Sequence, residues 1–185
     1  MGAALGPELE QRLRRHLKPA NKSWRVDETY LRAKGRWCYL DRAIDSAGAT
    51  IDFLLFALRD ADAAKRLFRN ALSDRIACST PRHQHGYGAD LRLGHRGHKE
   101  GRDGFRSRCR HRPVQYLNNI IEQEHRAVKR RVNAKQGFRE FQSARRTIQG
   151  YEAMHIIRKG QVRWLSGRGV RRQNRFINEL FEVAA

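Results

Sequence analysis

Three strand-length runs rich in apolar and aromatic residues, parted only by glycine-bearing turns, constrain this chain more than any other feature. Trp24 to Ala33 alternates around a mid-run Asp27. Arg36 to Asp45 carries Trp37, Tyr39, Leu40 and Ile44, and Thr50 to Leu58 is rich in Ile, Phe and Leu. Lys34-Gly35 and Ser46-Ala47-Gly48 are turns of hairpin length, so the runs read as an antiparallel three-strand meander.

Helical spacing surrounds that meander. Leu9, Leu13 and Leu17 recur every four residues in a short amphipathic helix over 7–18, stopped by Pro19. After the third strand, Ala64, Leu67, Phe68 and Ala71 share one side of a helix over 60–72, with Asp60 suited to its N-cap. Pro113 is expected to open a long basic helix, and 140–158 to form another through Phe141, Ala144, Ile148, Tyr151 and Met154. Gln161 to Trp164 reads as a short strand or turn, and Asn174 to Val183 as a last short helix. Strands first and helices after them make an α/β layout.

The chain's 185 residues suit one domain with a real core. Lys plus Arg number 39 against 19 Asp plus Glu, a net charge of +20 that favours a polyanionic partner through counterion release. Cys38, Cys78 and Cys109 form no CxxC pair, as expected of a protein in a reducing compartment. No apolar run approaches the roughly 18 residues of a membrane span, and Met1 to Leu5 has no basic start before an apolar core. A cytoplasmic protein without membrane contact is the expectation.

Residues 77–112 break the pattern. From Pro81 to Arg112 basic residues, His and Gly crowd together without a period of 2 or 3.6, and only Tyr87, Leu91, Leu93 and Phe105 could add much to a core. A structureless stretch of that length is improbable inside a compact domain. Its His and Cys residues show no zinc-finger spacing, and its Arg and Gly content suits a solvated basic arm. The segment is expected to be aberrant and disordered, and the fourth strand of the sheet to be disrupted.

Two acids stand where metal-assisted phosphodiester chemistry would want them. Such chemistry uses divalent ions about 3.5–4 Å apart, held by hard carboxylate oxygens converging from different elements. Asp27 lies mid-strand and Glu122 lies in the basic helix, where Glu122, His125 and Lys129 share one face. Leu117, Ile121, Val128 and Val132 form an adjoining apolar stripe, and Arg126, Lys129, Arg130 and Arg131 could meet phosphates. The same spacing also suits a solvated basic helix with an incidental Glu–His pair.

Several runs carry a family resemblance. They are Gly6-Pro7-Glu8-Leu9-Glu10 through Leu17-Lys18-Pro19, Ser23 to Tyr30, Tyr39 to Ser46, Thr50 to Phe53, Arg112 to Arg131, Gly137-Phe138, Gly150 to Met154 and Arg158 to Gln161. Over 6–75 and about 108–185 the chain resembles DDE transposases of the insertion-sequence-six family. The resemblance implies a ribonuclease H-like (RNase H-like) catalytic domain with three metal-holding acids, two Mg²⁺ or Mn²⁺ ions, and cleavage and strand transfer on double-stranded DNA. Inverted-repeat ends and target DNA are the implied partners, with a homo-oligomer or pairing with an intact transposase. Asp27 matches the first acid and Glu122 the last, while His125, Lys129 and Arg131 match basic positions that follow it. Residues 1–22 read as an N-terminal helix and linker lacking the family's helix-turn-helix, and 23–185 as the catalytic domain. Without that module, specific recognition of the repeats is expected to suffer.

The middle acid has no counterpart, and a shifted reading frame accounts for it. Codons CGT CAT CAA CAC GGA TAT GGC GCC GAT CTA, followed by a C, would legally encode Arg82 to Leu91. Read one nucleotide later they give V-I-N-T-D-M-A-P-I-Y, an apolar strand ending in the family's Asn-Thr-Asp. The displaced Asp overlies Gly86 and Tyr87, leaving 35 residues between Gly86 and Glu122, close to the family's spacing. A frameshift near 75–81 and a compensating one before about 108 is the expectation, leaving catalysis impaired. The alternative is a non-catalytic, basic DNA-binding remnant.

Overall fold

The computed structural model describes residues 2–21, 23–58, 61–73, 82–85, 110–113, 119–133 and 138–182. They fall into two compact units, one of Pro19–Phe138 and one of Met1–Lys18 with Arg139–Ala185.

In the first unit the meander forms as read. Strands β1 (Ser23–Ala33), β2 (Arg36–Asp45) and β3 (Thr50–Phe56) pair antiparallel in that order. Lys34 and Gly35 have φ of 51° and 73°, the paired positive values that a type I′ hairpin turn requires. At the second turn Asp45 acts as the organiser. Its Oδ1 accepts hydrogen bonds from the Ala47 and Ala49 amides at 2.9 and 2.8 Å, and its Oδ2 accepts one from the Asn21 amide at 3.0 Å. Such side-chain acceptance lets a short polar residue hold a turn that strand pairing cannot reach.

Helix α2 (Ala61–Ser73) lays Leu67 and Ala71 over one face of the sheet, where they bury Trp24, Val26, Ala43 and Ile51. Asp60, read as its N-cap, lies outside the described residues.

Two further strands extend the sheet beyond β1. Strand β4 (Arg82–His85) pairs parallel to β1, and β5 (Arg110–Pro113) parallel to β4, giving the order β3-β2-β1-β4-β5. Only β2 runs against the others, which is the RNase H-like arrangement. Two sequence expectations change here. A fourth strand read as disrupted is present over four residues, because ladder pairing uses backbone groups that any non-proline residue supplies. Pro113 closes β5 instead of opening the basic helix, a place that the sheet's edge permits since no further strand needs its missing N–H. That helix, α3, runs Asn119–Asn133, with Val128 and Val132 buried as their stripe predicts. The rest of 77–112 lies outside the described residues.

Burial along β1 changes phase in its middle. Trp24 and Val26 are buried on one face, whereas Thr29, Leu31 and Ala33 are buried on the other. The switch falls at Asp27 and Glu28, both half-buried. Beyond it, Tyr30 and Arg32 stand in solvent on the face that carried Trp24. Trp37 joins them at 48 % exposure, although Trp24 on the same hairpin is buried. The difference is one of coverage, since Trp24 faces α2 and Trp37 sits at the open hairpin end.

In the second unit, α1 (Gly2–Arg14) packs on α4 (Phe141–Arg158), with α5 (Val170–Leu180) beside it. Helix α1 ends four residues before the expected stop, and Leu17 instead bridges Val162. His16 stands edge-on against Phe176 with ring centres 5.6 Å apart. Glu10 accepts hydrogen bonds from Arg14 at 2.7 Å and from Gln149 of α4 at 3.0 Å. α1 and α4 approach closely at Gly6, where an added Cβ would collide with the Arg146 carbonyl oxygen. That oxygen is backbone and cannot swing away. Gly6→Ala is therefore expected to destabilise this unit by about 1–3 kcal/mol, read as a lowered urea midpoint, with the Gly150→Ala variant, whose Cβ meets only a 3.4 Å contact, much milder.

Candidate metal and DNA site

Asp27 sits at the phase change of β1, with its side chain 17 % exposed. One carboxylate oxygen, Oδ1, accepts the Glu28 backbone N–H at 3.0 Å. The other, Oδ2, faces Nδ1 of His125 at 3.9 Å. That separation is too long for a hydrogen bond, but a protonated imidazole there would feel the carboxylate strongly in so buried a place. His125 itself is 6 % exposed.

Helix α3 runs beside β1 and makes that meeting possible. Four residues on from His125, Lys129 lays its ammonium over the Tyr30 ring at 4.8 Å from the centroid. Residues four apart share one helix face, so α3 presents His125 and Lys129 to β1 together. Arg126 and Arg130 project into solvent. Glu122 lies in α3, three residues before His125, and its side chain is outside the described residues, as is that of Arg131.

A further residue belongs to this neighbourhood. Across the β1–β2 ladder Asp27 is paired with Arg42, which is only 1 % exposed. Directly opposed antiparallel residues project from the same face, so the buried Arg42 side chain leaves the sheet on the acid's side. A guanidinium out of water needs carboxylate company, and Asp27 is placed to provide some of it. Counting back from the Lys34-Gly35 turn would have revealed this pair in the sequence, because the two-residue hairpin sets Asp27 against Arg42.

Asp27 offers the hard oxygen that a divalent ion prefers. Among the described residues, however, no three His, Cys, Asp or Glu side chains gather as a metal cage. The described ladder between β1 and β4 ends at Val26 and His85, one residue short of Asp27. No described helix is long and apolar enough to cross a membrane.

This sheet order, with β2 alone reversed and helices flanking it, places the chain in the RNase H-like α/β class. The family model described as a DDE domain matches residues 21–161. The transposase for insertion sequence-like element IS431mec of Staphylococcus aureus is 32 % identical over 165 residues, covering 86 % of this chain and 68 % of that protein. The transposase for insertion sequence element IS257 in transposon Tn4003, also of Staphylococcus aureus, matches to the same extent. An uncharacterized protein, pYV0051 of Yersinia pseudotuberculosis, is 40 % identical over 53 residues, which is 29 % of this chain and 50 % of that one. Among solved structures, a chain of the simian T-cell lymphotropic virus intasome in complex with PP2A regulatory subunit B56 gamma aligns with a TM-score of 0.48 and 12 % identity. The alignment covers 79 % of this chain and 52 % of that one. The chain belongs to the DDE transposases of the insertion-sequence-six family. DDE transposases generally use divalent metal, and the family acts on DNA.

Proposed function

We propose that this protein is an insertion-sequence transposase copy whose ancestral reaction is metal-dependent DNA cleavage and strand transfer, and whose catalysis is impaired. The observation that carries this reading is the half-buried Asp27 on the central strand, faced by His125 of the basic helix that bears Glu122. Asp27 and Glu122 would hold the metal, Mg²⁺ or Mn²⁺. When bound, a pair of such ions activates the attacking oxygen and stabilises the leaving one.

The chain's own residues do the rest. His125 orients the Asp27 carboxylate from the helix side, and Arg42 offsets its charge from the β2 side. Arg126, Lys129, Arg130 and Arg131 bind the phosphates of double-stranded DNA, at the insertion-sequence ends and at the target, without reading bases. The work takes place in the cytoplasm, in a homo-oligomer or paired with an intact transposase. Impairment follows from Gly86 and Tyr87 standing where the resemblance expects the middle acid. That same observation favours a second reading, a basic DNA-binding remnant without catalysis.

Incubating the chain with insertion-end DNA and Mn²⁺ separates the two. Weak metal-dependent nicking, lost in both Asp27→Ala and Glu122→Ala, is expected of the impaired transposase. Nicking that survives both substitutions would sink the assignment of these acids. Salt-sensitive, sequence-blind binding with no nicking at all would favour the remnant.

A further inference from the structure

We infer that Tyr30 and Trp37, with Arg32 and Lys129, form a stacking site for unpaired nucleotides of the DNA this protein engages. The inference rests on the DNA-processing reading above and adds to it a site distinct from the metal acids.

The two rings stand 5.2 Å apart at 87°, an edge-to-face pair in which neither covers the other as a parallel stack would. Tyr30 is 52 % and Trp37 48 % exposed, so about half of each side chain remains open to solvent. The Arg32 guanidinium lies over the Trp37 ring at 4.6 Å, and the Lys129 ammonium over the Tyr30 ring at 4.8 Å. From Tyr30 to Cys38 the chain carries Arg32, Lys34 and Arg36 and no acid.

A plain surface cation–π pair would account for one such contact. It does not account for two large aromatic rings left open side by side, each already holding a cation. Flat π-faces next to positive charges suit a nucleobase with its phosphate: the base stacks and the cation takes the phosphate. A protein partner with an apolar patch would have to leave these cations without counter-charge.

Position relative to the acids gives the site its use. Tyr30 is three residues beyond Asp27, about 10 Å along β1. Strand alternation turns the two side chains to opposite faces, yet α3 touches both, through His125 at Asp27 and Lys129 at Tyr30. The aromatic pair therefore lies around the strand from the acid. DNA unpaired next to the cleaved phosphate could place its loose bases there while the phosphate stays at Asp27.

Binding without catalysis tests this. The full chain, in EDTA, would be titrated against a blunt duplex and against the same duplex with an unpaired thymidine tail. Fluorescence anisotropy reads the affinity, and sedimentation velocity the oligomeric state. Trp37→Ala and Tyr30→Ala are expected to weaken binding of the tailed duplex about tenfold and of the blunt duplex less than about twofold, while Trp37→Phe stays near the parent. Equal losses on both DNAs, or no loss on either, would overturn the site, as would a changed oligomeric state with DNA binding intact, which marks a face between copies. If the parent binds neither DNA, the DNA-processing reading fails and takes this site with it.

Discussion

Replacing Arg82 to Leu91 by V-I-N-T-D-M-A-P-I-Y is expected to raise metal-dependent nicking of insertion-end DNA by about 10³-fold or more over the chain as it stands. Strand β4 pairs parallel with β1, Arg82 with Ser23 through His85 with Val26. In the replaced segment Val-Ile-Asn-Thr fills those four positions and the Asp follows directly. Continued by one residue, the register sets that Asp beside Asp27, and parallel partners project from the same face. Two carboxylates would then flank the position that one holds now. Several kcal/mol of charge stabilisation by a completed metal site converts to at least about 10³ in rate, at about 1.4 kcal/mol per factor of ten. In the replaced chain Asp27→Ala should return nicking to background. A folded replacement that remains as slow as the parent would remove the frameshift account of the impairment.

Stability should change in the same variant. Parallel strands with strands on both sides usually read as nearly continuous apolar runs. Arg82-His83-Gln84-His85 occupies such a place with four polar side chains, between β1 and β5. The restored Val and Ile match what that position ordinarily selects, so the replaced chain should also unfold at higher urea.

Trp24→Ala is expected to lower the stability of the sheet unit by about 3–5 kcal/mol, whereas Trp37→Ala should cost less than about 1 kcal/mol. The residue type is the same and both lie on the same hairpin, so the contrast isolates burial. Trp24 is 1 % exposed and packs with Val26, Ala43, Ile51, Leu67 and Ala71, and its removal leaves a cavity between sheet and α2. Trp37 touches Tyr30 and Arg32 at an open edge, where water fills the space it vacates. Urea unfolding followed by circular dichroism gives both numbers. A Trp37→Ala loss as large as that of Trp24→Ala would mean the exposed aromatic pair is structural and not a binding surface.

Much of this protein was determined by the sequence alone. Hairpin turns at Lys34-Gly35 and Ser46-Ala47-Gly48 dictate the meander and its register, since a two-residue turn leaves one pairing in which each apolar face stays together. Helical spacing marked Leu67 and Ala71 in α2 and Ala144 and Ile148 in α4, though Phe141, Tyr151 and Met154 of the same reading are only half-buried, and the motif runs carried the family. Local chemistry is enough for such features, because each depends on neighbours within a few residues.

Only the tertiary structure decided the rest. It brought His125 to Asp27 across 98 residues of chain, and buried Trp24 while leaving Trp37 open. It also turned Pro113 from a helix start into a strand end, because β5 took the sheet's edge. None of these is a property of spacing. Each depends on which element covers which face, and coverage is settled only when distant segments pack.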